Sequence, residues 1–361
     1  MSKKYRLGVI GFAHMHILTL MENFAELPNV EWVACADTKP DTPTISREWG
    51  TRGDNLKVAL DKIGVPKSYD DYKEMLAQEE FDIIIVCSEN AKHSEVVQEI
   101  ARAGVHAVVE KPMATTYHDA LLMARAAQNN NVKLAINWPS TWRAANRLAT
   151  ELIADGAIGD VWKFKYANFA SRGPFEYGQT LTGEEKAAEW WHQKNTGGGA
   201  FLDYCCYGAC LSRWFIGQPA VGAYGLQANF ASHYGDADDN GLVMVKFPNS
   251  VAVLEGSWST SHFGVPNGPI VYGTTGTLVC ERNTVTIYRG FRDEPIVHEA
   301  EPLPEHRNNV AKEFMHHLET GEPLHPTLDM EINLDAMAIL DAGLRSASSA
   351  QFELAKDEIW G

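Results

Sequence analysis

Between residues 5 and 137 the chain alternates short, uninterrupted apolar runs with stretches of helical spacing. The runs are Tyr5 to Ile10, Val30 to Ala36, Phe81 to Cys87, Val105 to Glu110 and Val132 to Asn137. Each has the length of a strand and is apolar throughout, the pattern of a strand covered by helices on both faces. Ile17, Leu18, Met21 and Phe24 share one helical face after the first run. Val96, Val97, Ile100 and Ala103 do the same before the fourth. Such a series builds a doubly wound parallel sheet, so residues 1–138 are predicted to form an α/β nucleotide-binding domain.

The pattern changes near residue 140. A helix is predicted from Thr141 to Ala154, ending at Asp155-Gly156. Strand-like runs follow at Val161 to Phe169, Val221 to Phe230, Leu242 to Phe247, Val251 to Trp258, Ile270 to Tyr272 and Thr277 to Cys280. Turns such as Pro248-Asn249 and Pro266-Asn267-Gly268 separate them, as an antiparallel sheet requires. Helical segments around Asn309 to Glu319 and Ile332 to Ser346 close the chain. Residues 139–361 are therefore expected to be an α+β domain on a large, mainly antiparallel, open-faced sheet, and 361 residues suffice for two cores. A sheet short of helical cover on one face suits pairing with a second copy, so a homodimer or homotetramer is expected.

Composition narrows the partners. With 31 basic against 47 acidic residues the net charge is −16, which repels nucleic acid and anionic membrane surfaces alike. No apolar run approaches the roughly 20 residues needed to span a bilayer. The start MSKKYRLGVIGF runs straight into a strand, so a cytoplasmic protein without an export signal is expected. Cys35, Cys87, Cys205, Cys206, Cys210 and Cys280 include no CxxC pair and read as reduced thiols, with no metal site expected.

Chemistry concentrates at a few points. The turn after the first strand, Gly11-Phe12-Ala13-His14-Met15-His16, keeps one glycine of a dinucleotide fingerprint that would have three, at 11, 13 and 16. By itself it equally suits a doubly wound sheet that binds no dinucleotide. His14 and His16, two residues apart at a helix start, are expected to point in different directions, which favours surface or phosphate-facing roles over metal ligation. Asp37, just past the second strand, stands where a carboxylate accepts from the adenosine ribose. It favours NAD, with NADP the alternative because Lys39 is near; Asp37 could equally begin the turn Asp37-Thr38-Lys39-Pro40. Ser88-Glu89-Asn90 and Glu110-Lys111-Pro112 lie at the carboxyl edge of the sheet, where Lys111 would sit beside a nicotinamide or, on the plainer reading, in solvent. Past Gly197-Gly198-Gly199, Asp203 and Tyr207 at i, i+4 would share a helical face, a carboxylate and a phenol suited to proton transfer.

Taken in order, these residues resemble the glucose-fructose oxidoreductase, inositol dehydrogenase and MocA (Gfo/Idh/MocA) oxidoreductases over nearly the whole chain. The markers are Gly8-Val9-Ile10-Gly11, Asp37, Glu110-Lys111-Pro112-Met113-Ala114, Gly156-Ala157-Ile158-Gly159, Gly197 to Asp203, Glu255-Gly256-Ser257-Trp258 and Tyr272 to Leu278. The resemblance implies a Rossmann domain and an NAD(P)-dependent dehydrogenase acting on a secondary hydroxyl of a sugar, sugar derivative or cyclitol. It implies Lys111 as catalytic lysine, Asp203 as its partner, and Tyr207 where many members have histidine. Gly11, Phe12, Ala13, His14, Met15, Asp37, Ser88, Asn90, His93, Glu110, Lys111 and Asn137 would face the cofactor. Trp142, Trp190, Trp191, His192, Asp203, Tyr207 and His262 would face the sugar or polyol. The Lys111 ammonium is expected to favour the Tyr207 phenolate. Two other readings are a lyase or glycosidase that retains NAD for transient ring oxidation, and a non-catalytic sugar or nucleotide sensor.

Overall fold

The structure is a computed structural model that describes residues 3–169, 173–174, 181–260 and 267–356. Its first sheet is six-stranded in the order β3-β2-β1-β4-β5-β6. The strands are β1 (Tyr5–Ile10), β2 (Val30–Ala36), β3 (Ser68–Tyr69), β4 (Ile83–Val86), β5 (His106–Glu110) and β6 (Leu134–Asn137). All neighbours pair in parallel. The five predicted strands are present, and β3 was invisible because two residues carry no periodicity. The sheet reverses order between β1 and β4, which opens a crevice at their carboxyl ends. Register aligns that edge: Ile10 pairs with Val86, Val86 with Val109, and Glu110 with Asn137. The segments after β1, β4 and β5 therefore stand side by side.

Gly11 makes the crevice tight. Its φ of +90° is left-handed, and a Cβ there would come 2.4 Å from the Ser88 amide nitrogen. Only glycine allows β1 and β4 to end so close together.

The second sheet is nine-stranded, in the order β14-β13-β12-β11-β7-β10-β9-β8-β15. It comprises β7 (Val161–Phe169), β8 (Gly222–Ala228), β9 (Asn240–Lys246), β10 (Val251–Ser257), β11 (Ile270–Gly273), β12 (Thr277–Cys280), β13 (Thr284–Tyr288), β14 (Ile296–Glu299) and β15 (Glu353–Leu354). Pairing is antiparallel except between β7 and β10. Helices Cys206–Ile216 and Met330–Ser349 cover one face, burying Phe164, Ala223, Val243, Val245 and Leu254. On the other face Tyr224 pairs directly with Met244, and both are exposed along with Leu226 and Val251.

The strands of the two sheets lie within residues 5–137 and 161–354, but one late helix crosses back to the first sheet. Helix Val310–Thr320 turns Val310, Ala311, Phe314 and Met315 into a core with Leu7, Val9, Ile17 and Phe24 of the first domain. The predicted helix from Thr141 begins instead with a short 3-10 turn, Pro139–Trp142, and becomes α-helical at Ala144–Ala154. Among the described residues no helix is long and apolar enough to cross a membrane.

Candidate active site

Lys111 follows the end of β5 and is almost fully buried, with 1% exposure. Its Nζ donates to Asp203 Oδ1 at 2.6 Å and to the Asp203 carbonyl at 3.0 Å. Burial pushes a lysine towards neutrality, but Asp203, aided by Tyr207 and Cys206, outweighs it and holds Lys111 well above its ordinary value. Asp203 is satisfied on its other oxygen, where the Trp258 indole donates to Oδ2 at 3.3 Å. The chain delivers Asp203 through a left-handed glycine turn, with φ +81° at Gly197 and +107° at Gly199. A π-helical turn, Phe201–Cys205, then leads into helix Cys206–Ile216. Asp203 and Tyr207 therefore straddle a π-to-α junction rather than one regular face, yet both reach Lys111.

Tyr207 stands differently from expectation. Lys111 Nζ lies over the face of its ring, 4.7 Å from the centroid, rather than beside the hydroxyl. Burial pushes the phenol up and Lys111 pulls it down by less, so the net shift is upward. The expected phenolate is thus corrected to a protonated phenol, because desolvation of the anion outweighs the ammonium's attraction.

Glu110 is buried beside Lys111. Its Oε1 meets His16 Nδ1 at 2.9 Å and its Oε2 accepts from Asn137 Nδ2 at 3.0 Å. Burial would raise this carboxyl, but His16, Lys111 and Asn137 together hold it below the usual range. His93 lies behind the edge, with Nδ1 at the Pro112 and Met113 carbonyls and Nε2 at the Ser88 carbonyl. It ties the segment after β4 to the segment after β5. Asn90 crosses to the second domain, donating to the Gly197 carbonyl at 2.8 Å.

Just past β2, Asp37 Oδ1 accepts from the amides of Phe12 (3.0 Å) and Thr38 (2.9 Å) and from Arg52 at 2.5 Å. Arg52 also pairs with the buried Glu89. The bonds to the Phe12 and Thr38 amides are those of a residue that shapes the turn. Arg52 was missed because nothing local in Trp49-Gly50-Thr51-Arg52 marks a partner for the end of β2 or for Glu89.

A cavity of about 390 Å³ joins the pieces. Lys111, Asp203 and Tyr207 line it together with His14, Met15 and Trp191. Arg143, Tyr166, Asn168 and Tyr204 also line it and belong to no motif that a sequence would flag. Trp190 and Trp191 are stacked 4.0 Å apart and both buried against Ala13, Ala200 and Trp258. Trp142 lies elsewhere, under the Arg147 guanidinium and bordering a separate cavity of about 920 Å³ with Pro269 and Glu281. His192 packs edge-on against Tyr234 and Trp258 rather than lining the first cavity. His262 lies outside the described residues. His14 and His16 do not diverge as expected: the tight turn brings their rings to 4.2 Å.

The residues present fit a nicotinamide dinucleotide. Along the crevice His14 Nε2, Asn90 Oδ1 and Trp191 Nε1 are buried polar atoms with no partner among the described residues, a mixture of donor and acceptor sites that such a ligand can use.

Residues 6–138 match the oxidoreductase family with an NAD-binding Rossmann fold, and residues 146–279 match the GFO/IDH/MocA C-terminal domain. The chain belongs to the Gfo/Idh/MocA family. Its first domain is accordingly an NAD-binding Rossmann domain. Among Gfo/Idh/MocA relatives, the 1,5-anhydro-D-fructose reductase of Ensifer adhaerens is 27% identical over 62% of this chain and 63% of its own length. The 2,7-anhydro-N-acetylneuraminate hydratase of Mediterraneibacter gnavus is 26% identical over 66% of this chain and 63% of its own. The chain thus spans under two thirds of these two relatives. The fold is that of the WlbA dehydrogenase from Bordetella pertussis, solved with NADH and UDP-GlcNAcA, at a TM-score of 0.78, 22% identity and 99% coverage of both chains.

In this Gfo/Idh/MocA chain, removing one member of the buried pair strands the other. Asp203→Asn is expected to cost about 3–5 kcal/mol of folding stability, read by urea denaturation. In the unaltered chain the pair's contribution is fully present below the ordinary lysine value of 10.5 and is lost as pH rises through the higher value of folded Lys111. An Asp203→Asn variant as stable as the parent at pH 7 would show that the pair does not hold the site together.

Proposed function

We propose that this chain is an NAD-dependent oxidoreductase that interconverts a secondary hydroxyl and a keto group on a sugar, sugar derivative or cyclitol. The observation that carries this reading is the buried Lys111–Asp203 pair with Tyr207 in one cavity at the carboxyl edge of an NAD-binding sheet. Bound NAD supplies the acceptor or donor of the hydride. Lys111 Nζ, held by Asp203, donates to the reacting oxygen and stabilises negative charge developing there. Tyr207, protonated in this setting, gives its proton to that oxygen in the reducing direction and is reprotonated from solvent; oxidation runs the same path in reverse, so the phenol must first lose its proton to solvent before it takes the hydroxyl proton. His14 stays neutral, because burial above all, and then His16, Lys111 and His93, hold it well below the ordinary histidine value. It therefore adds no competing cation. Tyr166, Asn168 and Tyr204 offer polar groups and ring faces to a polyhydroxylated ring.

A second reading keeps NAD bound, oxidises the ring transiently, eliminates a substituent and reduces again. The relative from Mediterraneibacter gnavus that is a hydratase favours it. NADH accumulates with turnover under the first reading and does not under the second. A purely sensing role leaves Lys111, Asp203 and Tyr207 without a purpose.

We also propose that the uncovered face of the second sheet, with Tyr224, Leu226, Met244 and Val251 exposed, pairs with a second copy, giving a homodimer or homotetramer. The reading places the enzyme in the cytoplasm, acting on a small molecule and on neither nucleic acid nor membranes.

Absorbance at the NADH band against a panel of sugars and inositols tests the activity. Lys111→Ala should lower kcat by roughly 10² to 10⁴ while NAD still binds. Tyr207→Phe should keep KM and lose most of kcat, and the parent's reducing rate should stay level through neutral pH because the phenol remains protonated. Full activity in either variant would remove that residue from the reaction. For the assembly, Leu226→Glu combined with Met244→Glu should convert the oligomer to monomer in sedimentation, whereas a parent that sediments as monomer contradicts the pairing.

A further inference from the structure

A turn that cradles a pyrophosphate relies on backbone amides pointed at the anion. In this chain most of those amides are already used. Gly11 N–H donates to the Ala36 carbonyl at 3.0 Å, Phe12 N–H to Asp37 Oδ1 at 3.0 Å, His14 N–H to the Cys87 carbonyl at 3.3 Å and His16 N–H to His14 Nδ1 at 3.1 Å. Among the described residues only Ala13 and Met15 within the turn keep amides without an intramolecular acceptor. Alanine at 13 and histidine at 16 also remove the glycines that let a phosphate approach closely.

Side-chain donors stand beside this depleted turn. Because His14 Nδ1 accepts from the His16 amide, the proton of the neutral ring is on Nε2. Among the described residues that atom is buried without an acceptor, and His14 is only 3% exposed. Trp191, 2% exposed, likewise buries an indole N–H with no acceptor among the described residues. The two rings meet edge to face at 4.5 Å, and both line the cavity that contains Lys111. Trp190, stacked on Trp191, donates its own indole N–H to the Ala13 carbonyl at 2.8 Å, which pins the tryptophan pair of the second domain onto the turn of the first. His14, His16 and Glu110 also form a group of the size that could hold a metal ion. With a proton on His14 Nε2, and with His16 Nδ1 engaged by Glu110, neither ring nitrogen presents a free lone pair to a cation.

We propose that His14 Nε2–H and Trp191 Nε1–H donate to a pyrophosphate oxygen of the bound dinucleotide, taking over from the amides and glycines that the turn lacks. The inference rests on NAD being the cofactor and goes beyond it in consequence: the second domain, through Trp191, grips the cofactor directly. NAD can then leave only when the contact between Trp190 and Ala13 opens, so release is slow. The same cavity could offer these donors to a hydroxyl oxygen of the substrate, and the test separates the two sources.

Calorimetry with NAD, and stopped-flow release followed by NADH fluorescence, are run on the full chain and on two variants. Trp191→Phe keeps an aromatic ring but removes the pyrrole half of the indole with its N–H; His14→Asn keeps an acceptor for the His16 amide and removes the Nε2 donor. Each should raise the NAD Kd about tenfold, the size of one lost hydrogen bond, with the loss in the release rate. Both side chains are buried, so each truncation is expected to lower the melting temperature without NAD, and the rise in melting temperature on adding NAD should shrink relative to the unaltered chain. An unchanged NAD Kd overturns the proposal, as does an undiminished rise in melting temperature on adding NAD. A raised substrate KM with an unchanged NAD Kd also overturns it and gives the donors to the substrate. Failure of the unaltered chain to bind NAD would instead overturn the cofactor reading on which the proposal rests.

Discussion

The ammonium of Lys111 is buried, and water cannot pay for its charge. Placing it there requires an anion at contact distance, and Asp203 supplies one at 2.6 Å from a segment 92 residues later in the chain. Taking both charges out of water is expensive, and their attraction offsets the cost only when the remaining polar atoms also find partners. Both do: Nζ has the Asp203 carbonyl as a second acceptor and Oδ2 has the Trp258 indole as a donor. The pair therefore demands that the end of β5, the glycine turn before Asp203 and the end of β10 all arrive at one point.

That demand sets the relation between the two sheets. Lys111 belongs to the first domain and Asp203 to the second, and the contacts around them run the same way. Asn90 reaches Gly197, Trp190 reaches Ala13, and helix Val310–Thr320 returns to pack on the first sheet. The crevice that an open parallel sheet creates at its switch point is thus roofed by the second domain. Charge inside it is balanced locally: Lys111 with Asp203, and Arg52 with Asp37 and Glu89. A reacting oxygen placed there meets fixed donors rather than water, the condition under which such donors act most strongly.

Much of the fold was legible because its signals are local and periodic. Buried parallel strands announce themselves as continuous apolar runs, and β7 and β12 fell on their predicted residues. Strand β13, where Thr284–Tyr288 alternates polar and apolar residues, was passed over despite its signal; the other missed strands lacked one. Strands β3 and β15 are two residues long, and β14 is almost wholly exposed, so no burial pattern marks it. In the site, Lys111, Asp203 and Glu110 were readable because motif and position on the sheet edge agree. The partnership of Arg52 with Asp37 and the entry of Tyr166 and Asn168 into the cavity depend on tertiary contacts that no spacing encodes. The state of the Tyr207 phenol was misjudged for a similar reason: the sequence names the neighbour, Lys111, but not the depth of burial that outweighs it.

The most direct test of this account is a structure of the chain determined with NAD bound. The account places the nicotinamide in the cavity with Lys111, Asp203 and Tyr207, and leaves the Lys111–Asp203 pair intact, with room for a substrate carbon within about 3–3.5 Å of the hydride-carrying position. A nicotinamide bound outside that cavity, or a Lys111 side chain released from Asp203 and turned away from it, would contradict the claim that this buried pair organises the reaction.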